Sequence, residues 1–281
     1  MQRELQHIVP GMATSDGAGV KIKRSLGQAP YARLDPFLML DEFNSENAND
    51  YIAGFPAHPH RGFETVTYML DGHMLHEDHM GNRGDLKTGG VQWMTAGRGI
   101  IHSEMPQQSE GRMRGFQLWL NLPAAEKMKP ANYRDIDPSE IPVATLPGGG
   151  KAKVIAGSVT VDGNSITGPI SGLSTDPQYW DVHLSADGVF EQPLPDSHNV
   201  FVYVYEGDIA IGERKLTHGN AGMLGKGDSI RVTAGKDGAR LLVLAGIPIG
   251  EPIAQYGPFV MNTQEEIEQA INDYRAGRLA G

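Results

Sequence analysis

The sequence predicts an all-β protein, built as two tandem β-barrels and ending in a helix. Short apolar runs of strand length recur along the 281 residues, and turn signals such as Asp71-Gly72 and Asp162-Gly163 separate them. The 36 glycines and 18 prolines also favour a turn-rich β architecture. In addition, the two halves of the chain share a sequence repeat, which indicates a duplicated barrel.

Six runs with strand-like composition define the clearest β elements. They are residues 65–70, 91–95, 115–120, 153–156, 201–205 and 241–245. One helix is expected near the C-terminus, where Thr263 can cap it and Glu266 stands three residues later in capping-box position. Its apolar face is formed by Ile267, Ala270, Ile271 and Tyr274.

The repeat is visible as two matching pairs of segments. Residues 68–72 (YMLDG) match residues 203–207 (YVYEG) at an offset of 135. Residues 89–97 (GGVQWMTAG) match residues 227–235 (GDSIRVTAG) at an offset of 138. The two offsets differ by three residues, an ordinary loop insertion.

Two ligand pairs in the first half point to a metal. His58 and His60 form one pair at spacing i, i+2, and His102 and Glu104 form the other. Side chains alternate faces along a strand, so two neighbouring strands would converge three imidazoles and a carboxylate on one patch. Nitrogen-rich ligand sets suit a divalent first-row transition metal better than calcium or magnesium. Four ligands would leave open positions on an octahedral ion, as a catalytic site requires.

The second half lacks this ligand set. Carried across by the two offsets, the four ligands correspond to Pro193, Pro195, Arg240 and Leu242. None of these side chains can bind a cationic metal. We therefore expect an N-terminal domain of residues 1–140 with one metal, and a C-terminal domain of residues 141–281 without metal ligands. The Pro- and Gly-rich stretch at residues 141–150 would link them.

Charge and composition limit the partners. The formal net charge is −10, so direct nucleic-acid binding is not expected, and any role in transcription would depend on a protein partner. No apolar run is long enough to span a bilayer, and the N-terminus lacks a signal core, which favours a cytoplasmic protein. The absence of cysteine excludes disulfides and thiolate chemistry.

The metal motifs resemble those of the cupins, which are jelly-roll or double-stranded β-helix proteins. The first cupin motif is H-x-H followed by Glu, represented here by His58, His60 and Glu64. The second motif fits the segment of residues 90–102, which ends in His102. This general pattern makes Glu64 the carboxylate ligand, in place of Glu104. As a non-ligand, Glu64 would orient a histidine N–H.

Four longer strings resemble the pirin family of bicupins. They are residues 35–43, 55–66, 92–106 and 257–262, and the similarity extends over nearly the whole chain. The resemblance implies iron or a similar divalent metal in the N-terminal cupin only. It favours Glu104 as the carboxylate ligand. Bacterial pirins are associated with quercetin 2,3-dioxygenase activity, and animal pirins with transcriptional co-regulation.

The expected function is therefore a metal-dependent dioxygenase that opens the heterocyclic ring of a flavonol such as quercetin with O2. Glu104 would be both ligand and catalytic base, and Met39, Phe43 and Phe55 would hold the aromatic rings. Iron(II) is the first choice of metal, followed by nickel, manganese, zinc or copper. The alternative function is a metal-binding adaptor that acts through protein partners.

Other polar residues near the motifs are interpreted as structural. His73, His76 and His79 are expected in a polar hairpin, with an auxiliary metal site as the alternative. Arg61 and Arg98 flank the ligand strings and could bind an anionic substrate or form structural ion pairs.

Overall fold

The computed structural model describes residues 1–29 and 32–280, so Gly281 of the expected C-terminal domain lies outside the described residues. It confirms an all-β protein with one C-terminal α-helix. The chain divides into two compact units. The first unit is formed by Ala13–Arg24, Phe37–Pro138 and Ile249–Gly281, and the second by Met1–Met12, Ser25–Pro36 and Ser139–Pro248.

The first unit contains strands of three to nine residues and the helix. Its elements are β2 (Met12–Asp16), β3 (Val20–Arg24), β4 (Phe37–Ser45), β5 (Phe55–His60), β6 (Phe63–Asp71), β7 (His73–Asp78), β8 (Arg83–Lys87), β9 (Val91–Thr95), β10 (Ile100–Pro106), β11 (Met113–Asn121), β12 (Asn132–Ile136), β23 (Ala254–Tyr256), β24 (Phe259–Met261) and α1 (Gln264–Arg275). Short 3-10 helices occur at Ala48–Asp50, Ala124–Glu126 and Pro138–Glu140.

The second unit contains the two longest strands and several short ones. They are β1 (Leu5–Pro10), β13 (Val143–Thr145), β14 (Lys151–Ala156), β15 (Ser158–Val161), β16 (Asn164–Thr167), β17 (Gln178–Leu184), β18 (Val189–Pro193), β19 (Asn199–Ile211), β20 (Arg214–Thr217), β21 (Asn220–Leu224) and β22 (Ser229–Gly246). The order of the main path is β1-β21-β19-β22-β17-β14-β13, and β18 and β20 pair with β22 and β19.

Two sheets of the first unit position the candidate ligands. The larger sheet has the order β12-β9-β6-β11-β4-β3-β2, and the smaller has the order β5-β10-β7-β8. In the smaller sheet β10 lies between β5 and β7, so His102 is opposite His58 and Glu104 is opposite His76. All strand pairs in both sheets are antiparallel, as expected for a jelly roll.

The interior of the second unit is filled by apolar side chains. Trp180, Val182, Phe190 and Leu241 belong to one large buried cluster contributed by several strands. Trp180 and Val182 stand two residues apart on β17, which is the spacing of one strand face. The hydrophobic core therefore occupies the space where the first unit places polar ligand candidates.

The helix confirms the predicted capping box. The Thr263 hydroxyl accepts a hydrogen bond from the Glu266 N–H at 3.2 Å, and the Glu266 carboxylate accepts one from the Thr263 N–H at 3.0 Å. Ile267 and Ala270 are fully buried against a cluster that includes Phe259. These contacts stabilise the first turn and fix the apolar face of a helix of only 12 residues.

The ends of the chain are exchanged between the units. The main change of unit, between Pro138 and Ser139, lies next to the expected boundary at residues 140 and 141. However, β1 pairs with β21 in the second unit, and residues 249–281 complete the first unit. Two contiguous halves therefore do not describe the compact units.

Strand pairing also revises the correspondence between the halves. In the first unit β5 pairs with β10, and in the second unit β18 pairs with the first part of β22. The two pairs are equivalent, because β5 and β18 each precede a long central strand, β6 or β19. Arg240 and Leu242 lie in the later part of β22, which pairs with β17 and β19, so they are not on the strand segment equivalent to β10. The correspondence of His102 and Glu104 to Arg240 and Leu242 was therefore wrong, because the loops between equivalent strands differ in length. The opposed residues of β18 and β22 that face the core of the second unit are Phe190 and Val232, which are both buried and apolar.

Among the described helices, none has the length and apolar character to cross a membrane.

Candidate metal centre

Three of the four predicted ligands come together in the first unit. One nitrogen from each of His58, His60 and His102 lies within 4.8 Å of the others. Their ring centroids are 4.4 to 4.9 Å apart. His60 and His102 are 3% and 2% exposed, whereas His58 is only partly buried. The cluster therefore has one open side.

The hydrogen bonds of His58 and His102 leave one nitrogen of each ring available. His58 Nδ1 lies 2.8 Å from the Pro56 carbonyl, which can only accept, so Nδ1 carries the hydrogen and Nε2 keeps its lone pair. His102 Nδ1 lies 3.3 Å from His76 Nδ1, and its Nε2 is buried without a partner among the described residues. Fixing one nitrogen as a donor is how proteins prepare the other for a metal.

His60 has the same arrangement with a partner from the C-terminal segment. Its ring bonds to the Pro258 carbonyl, and its Nδ1 is buried with no partner in the described part of the chain. Burial, followed by the neighbouring His58, lowers the pKa of His60 well below its usual value. Burial and the other histidines do the same to the pKa of His102. Both rings are therefore neutral at physiological pH, which is the form that binds metals.

Glu104 lies two residues beyond His102 on β10 and is 5% exposed. Its Oε1 accepts a hydrogen bond from the Thr67 hydroxyl at 3.0 Å, and Gln117 Oε1 lies 2.5 Å from the same hydroxyl. Among the described residues, the cluster of ligand atoms within 4.8 Å of one another consists of the His58, His60 and His102 nitrogens and does not include the Glu104 carboxylate. The structure thus brings three predicted ligands together and places the fourth on the same strand.

Glu64 is engaged by other residues. Its Oε2 accepts from the Trp93 indole at 3.0 Å, and its Oε1 accepts from the Thr95 hydroxyl at 2.6 Å. Lys129 Nζ lies 3.9 Å away, and burial raises the pKa of this carboxyl. The expected second role for Glu64, orienting a histidine, is replaced by bonds to Trp93 and Thr95.

His76 is a buried neighbour of the cluster that the sequence did not single out from its hairpin. The predicted hairpin is present, because β7 pairs with β8, and His73 and His79 bond to Asp85 and the Ala280 carbonyl at its surface. His76, however, is 2% exposed and contacts the His102 ring. Its spacing from His102 in sequence carries no signal, since only the β7–β10 pairing brings the two together.

Residues of the C-terminal segment 249–280 contact the chain next to His60. Arg61 forms an ion pair with Asp273 at 2.8 Å, which makes this arginine structural. Gly62 adopts φ +91, and a Cβ there would lie 2.0 Å from the Val260 carbonyl, so only glycine fits. The buried Lys127 ammonium donates to the Gly62 and Val260 carbonyls at 2.8 and 3.1 Å.

Two aromatic rings stand beside the histidines. The Phe63 and Trp119 rings contact His60 edge-on, with centroid distances of 5.2 and 5.4 Å. Trp119 is only partly buried. These two rings form an apolar wall next to the cluster.

Met39, Phe43 and Phe55, expected to hold an aromatic ligand, differ in their position relative to the core. Phe43 lies in a buried cluster with Met69, and Phe55 packs against it. Met39 is 7% exposed on β4. Phe43 is therefore part of the core, as Phe63 is, and of the two aromatic rings beside His60 Trp119 is the partly buried one.

The donor set fits a divalent transition metal. Unpaired buried nitrogens are costly, and the two on His60 and His102 would gain a partner from a bound cation. Neutral imidazoles are good ligands for iron, nickel, copper and zinc. The partly buried side at His58 would leave access for a further ligand.

Comparison with known proteins agrees with this architecture. Residues 19–120 match the family model Pirin, and residues 179–280 match the Pirin C-terminal cupin domain. A Pseudomonas aeruginosa protein named "Putative quercetin 2,3-dioxygenase" is 55% identical over 99% of this chain and 98% of its own length.

Solved structures show the same fold. The crystal structure of quercetin 2,3-dioxygenase from Acinetobacter baumannii is 32% identical, with a TM-score of 0.90 over 100% of this chain and 99% of the other. The bacterial pirin YhhW from Escherichia coli, solved in complex with nickel(II), has a TM-score of 0.66 and 20% identity over 86% of this chain and 98% of its own. At that identity the likeness shows the fold alone.

Proposed function

Since the chain belongs to the pirin family and has two cupin-type domains, we propose that it is a metal-dependent dioxygenase that opens the heterocyclic ring of flavonols such as quercetin. The observation that carries this proposal is the cluster of His58, His60 and His102, each with a ring nitrogen free for a metal. The names of the similar Pseudomonas and Acinetobacter proteins support the choice of substrate class.

The proposed ligands are His58, His60, His102 and Glu104, holding one metal per chain. Iron(II) is the first candidate. Nickel(II) belongs in any reconstitution series because imidazole nitrogens bind it well. The buried position of Glu104 on the His102 strand supports its place in the set.

The residues around the cluster divide the chemical work. A bound divalent metal would act as a Lewis acid that stabilises the deprotonated substrate next to dioxygen. The Glu104 carboxylate accepts the proton of the substrate hydroxyl, and Thr67 orients this carboxylate through its 3.0 Å hydrogen bond. Trp119, which is partly buried beside His60, would offer apolar surface to the flavonol rings, and the fully buried Phe63 packs against it.

Oxygen consumption tests the proposal. Protein reconstituted with iron(II) or nickel(II) should consume dioxygen when quercetin is added. His60→Ala should lose both metal and turnover. Glu104→Gln should retain part of the metal and lose turnover by about 100-fold, because a general base contributes roughly 10²–10⁴. Glu77→Gln, on the neighbouring β7 with a 51% exposed side chain, is the matched control and should behave as the wild type.

A folded, metal-replete wild type that consumes no dioxygen with quercetin or related flavonols would refute the proposal. The adaptor function would then become the leading hypothesis, and affinity for protein partners would be compared between metal-loaded and metal-free protein.

A further inference from the structure

A row of polar side chains crosses four strands of the second unit. Strand register places Glu206 opposite Arg240, Arg240 opposite His183, and His183 opposite Lys151. Directly opposed residues in antiparallel strands point to the same face of a sheet. The four residues line a cavity of about 750 Å³ whose walls all belong to the second unit.

This row lies on the sheet face opposite the apolar core. Val182 and Leu241, the chain neighbours of His183 and Arg240, belong to the buried core cluster. Successive side chains on a strand point to opposite faces, so the cavity is separate from the barrel interior. Its size is within the range of small-molecule sites.

A buried carboxylate fixes the central histidine. Asp181, two residues before His183 on β17, is 0% exposed, and both its oxygens lie 3.1 Å from His183 Nε2. The Tyr205 hydroxyl donates to the same carboxylate at 2.5 Å. Tyr205 lies at a register shift between Val204 and Glu206, where a bulge can redirect a side chain.

This network sets the chemistry of His183. A carboxylate accepts, so Nε2 of a neutral His183 carries the hydrogen and Nδ1 keeps its lone pair. The side chain is 18% exposed, and it is the member of the network that lines the cavity. Burying such a network is costly unless every group is paired, which makes a purely packing role a poor explanation.

We propose that this cavity binds a small neutral polyhydroxylated molecule of the sugar or polyol class. The row consists of Lys151, His183 and the ion pair of Arg240 with Glu206, whose side-chain atoms lie 3.3 Å apart. A hydroxyl group is both donor and acceptor, so the hydroxyls of a polyol can bind to the Lys151 ammonium, to His183 Nδ1 and to the outer atoms of this ion pair.

The charges and shape of the lining support a neutral, non-aromatic ligand. Lys151 and Arg240 are balanced by Glu206 and Asp237, so an anion or a cation would gain little. The lining contains no phenylalanine, tyrosine or tryptophan to stack on a flavonol ring. The site is thus chemically distinct from the histidine cluster of the first unit.

The test uses the full chain, labelled with ¹⁵N, and titrates it with myo-inositol, glucose, inorganic phosphate and quercetin. Myo-inositol or glucose should shift the His183 ring signals in a saturating manner. Glu206→Gln should weaken this binding about tenfold, since a hydrogen bond to a charged group contributes roughly 1.5–3 kcal/mol. Tyr205→Phe should increase the population of the other His183 tautomer and also weaken binding.

Glu191→Gln is the matched control, because Glu191 pairs with Arg231 on the same β22 strand, outside the cavity, with similar exposure. It should bind as the wild type does. Saturable binding of phosphate or quercetin in place of the polyols would overturn the ligand class. No saturable shift with either polyol, or equal effects of Glu206→Gln and Glu191→Gln, would overturn the site. None of these outcomes depends on dioxygenase activity.

Discussion

Replacing His76 tests whether the buried imidazole pair prepares His102 for a metal. His76 Nδ1 is the partner of His102 Nδ1 at 3.3 Å, and the metal-binding form of His102 must donate from Nδ1 to free Nε2. In His76→Phe this donor would be buried and unpaired. The penalty for such a group is about 1–3 kcal/mol, equivalent to a loss of metal affinity of roughly 5- to 150-fold.

The variant is suited to the question because phenylalanine keeps the ring. His76 is 2% exposed and packs against Tyr133 with a centroid distance of 5.4 Å, so an apolar ring fits its site. His76 Nε2 has no partner in the described part of the chain, so its removal costs no hydrogen bond there. The fold should therefore survive the substitution.

Nickel(II) affinity, measured by competition with a chromophoric chelator, distinguishes the outcomes. His76→Asn should retain most of the affinity, because the asparagine oxygen can accept in the place of Nδ1. His73→Phe, on the same strand but at the surface beside Asp85, should not change it. Wild-type affinity in His76→Phe, or equal losses in His76→Phe and His76→Asn, would refute the reasoning.

Three further predictions concern stability. Lys127→Met should lower the free energy of unfolding in urea by about 3 kcal/mol at pH 7, because it leaves buried acceptors unpaired, whereas Lys129→Met should change it by no more than about 0.5 kcal/mol. Burial lowers the pKa of Lys127 from 10.5 to about 8. Between pH 8 and pH 10.5 this side chain is therefore protonated in the unfolded chain and neutral in the folded protein. The stability advantage of the wild type over Lys127→Met should therefore grow from pH 8 to 10.5, by about 3 kcal/mol at most, and a constant difference would contradict this. Gly62→Ala should destabilise the first unit and weaken nickel binding, as followed by thermal unfolding and chelator competition, because its Cβ meets a backbone carbonyl. The pKa values of His60 and His102 are lowered in the folded protein, so below about pH 6.5 these two side chains bind protons in the unfolded chain and not in the folded one. Metal-free protein should therefore lose stability as the pH falls, and its urea midpoint should be lower at pH 5.5 than at pH 7.5.

The strands, the helix cap and the histidine pairs were predictable because each depends on local spacing. Alternation placed His58 and His60 on one strand, and the capping box at Thr263 needed only residues three apart. Both signals are properties of a single element, so they survive without knowledge of its neighbours.

The features that the sequence did not predict depend on pairing between segments that are distant in the chain. His76 was indistinguishable from the surface histidines of its hairpin until β7 was paired with β10. The partners of Glu64 lie on β9, which reaches it only through the larger sheet. Sequence offsets failed to align the ligand positions of the two halves because loop lengths vary between equivalent strands, whereas hydrogen-bond register does not.

Because residues 249–281 belong to the first unit and residues 1–12 to the second, the two units are completed at different times during synthesis. The histidine cluster is complete in sequence once His102 is made, but Pro258 and Asp273, which hold His60 and Arg61, are made last. At 5–20 residues per second, the gap from Pro138 to Ile249 delays completion of the first unit by roughly 6–20 s. The second unit waits only for residues up to Pro248 and has its own β1 from the start. In a nascent chain the residues of the second unit are therefore complete before those of the first, so a chain terminated at Pro248 would contain the three histidines without Pro258 and Asp273, the partners of His60 and Arg61.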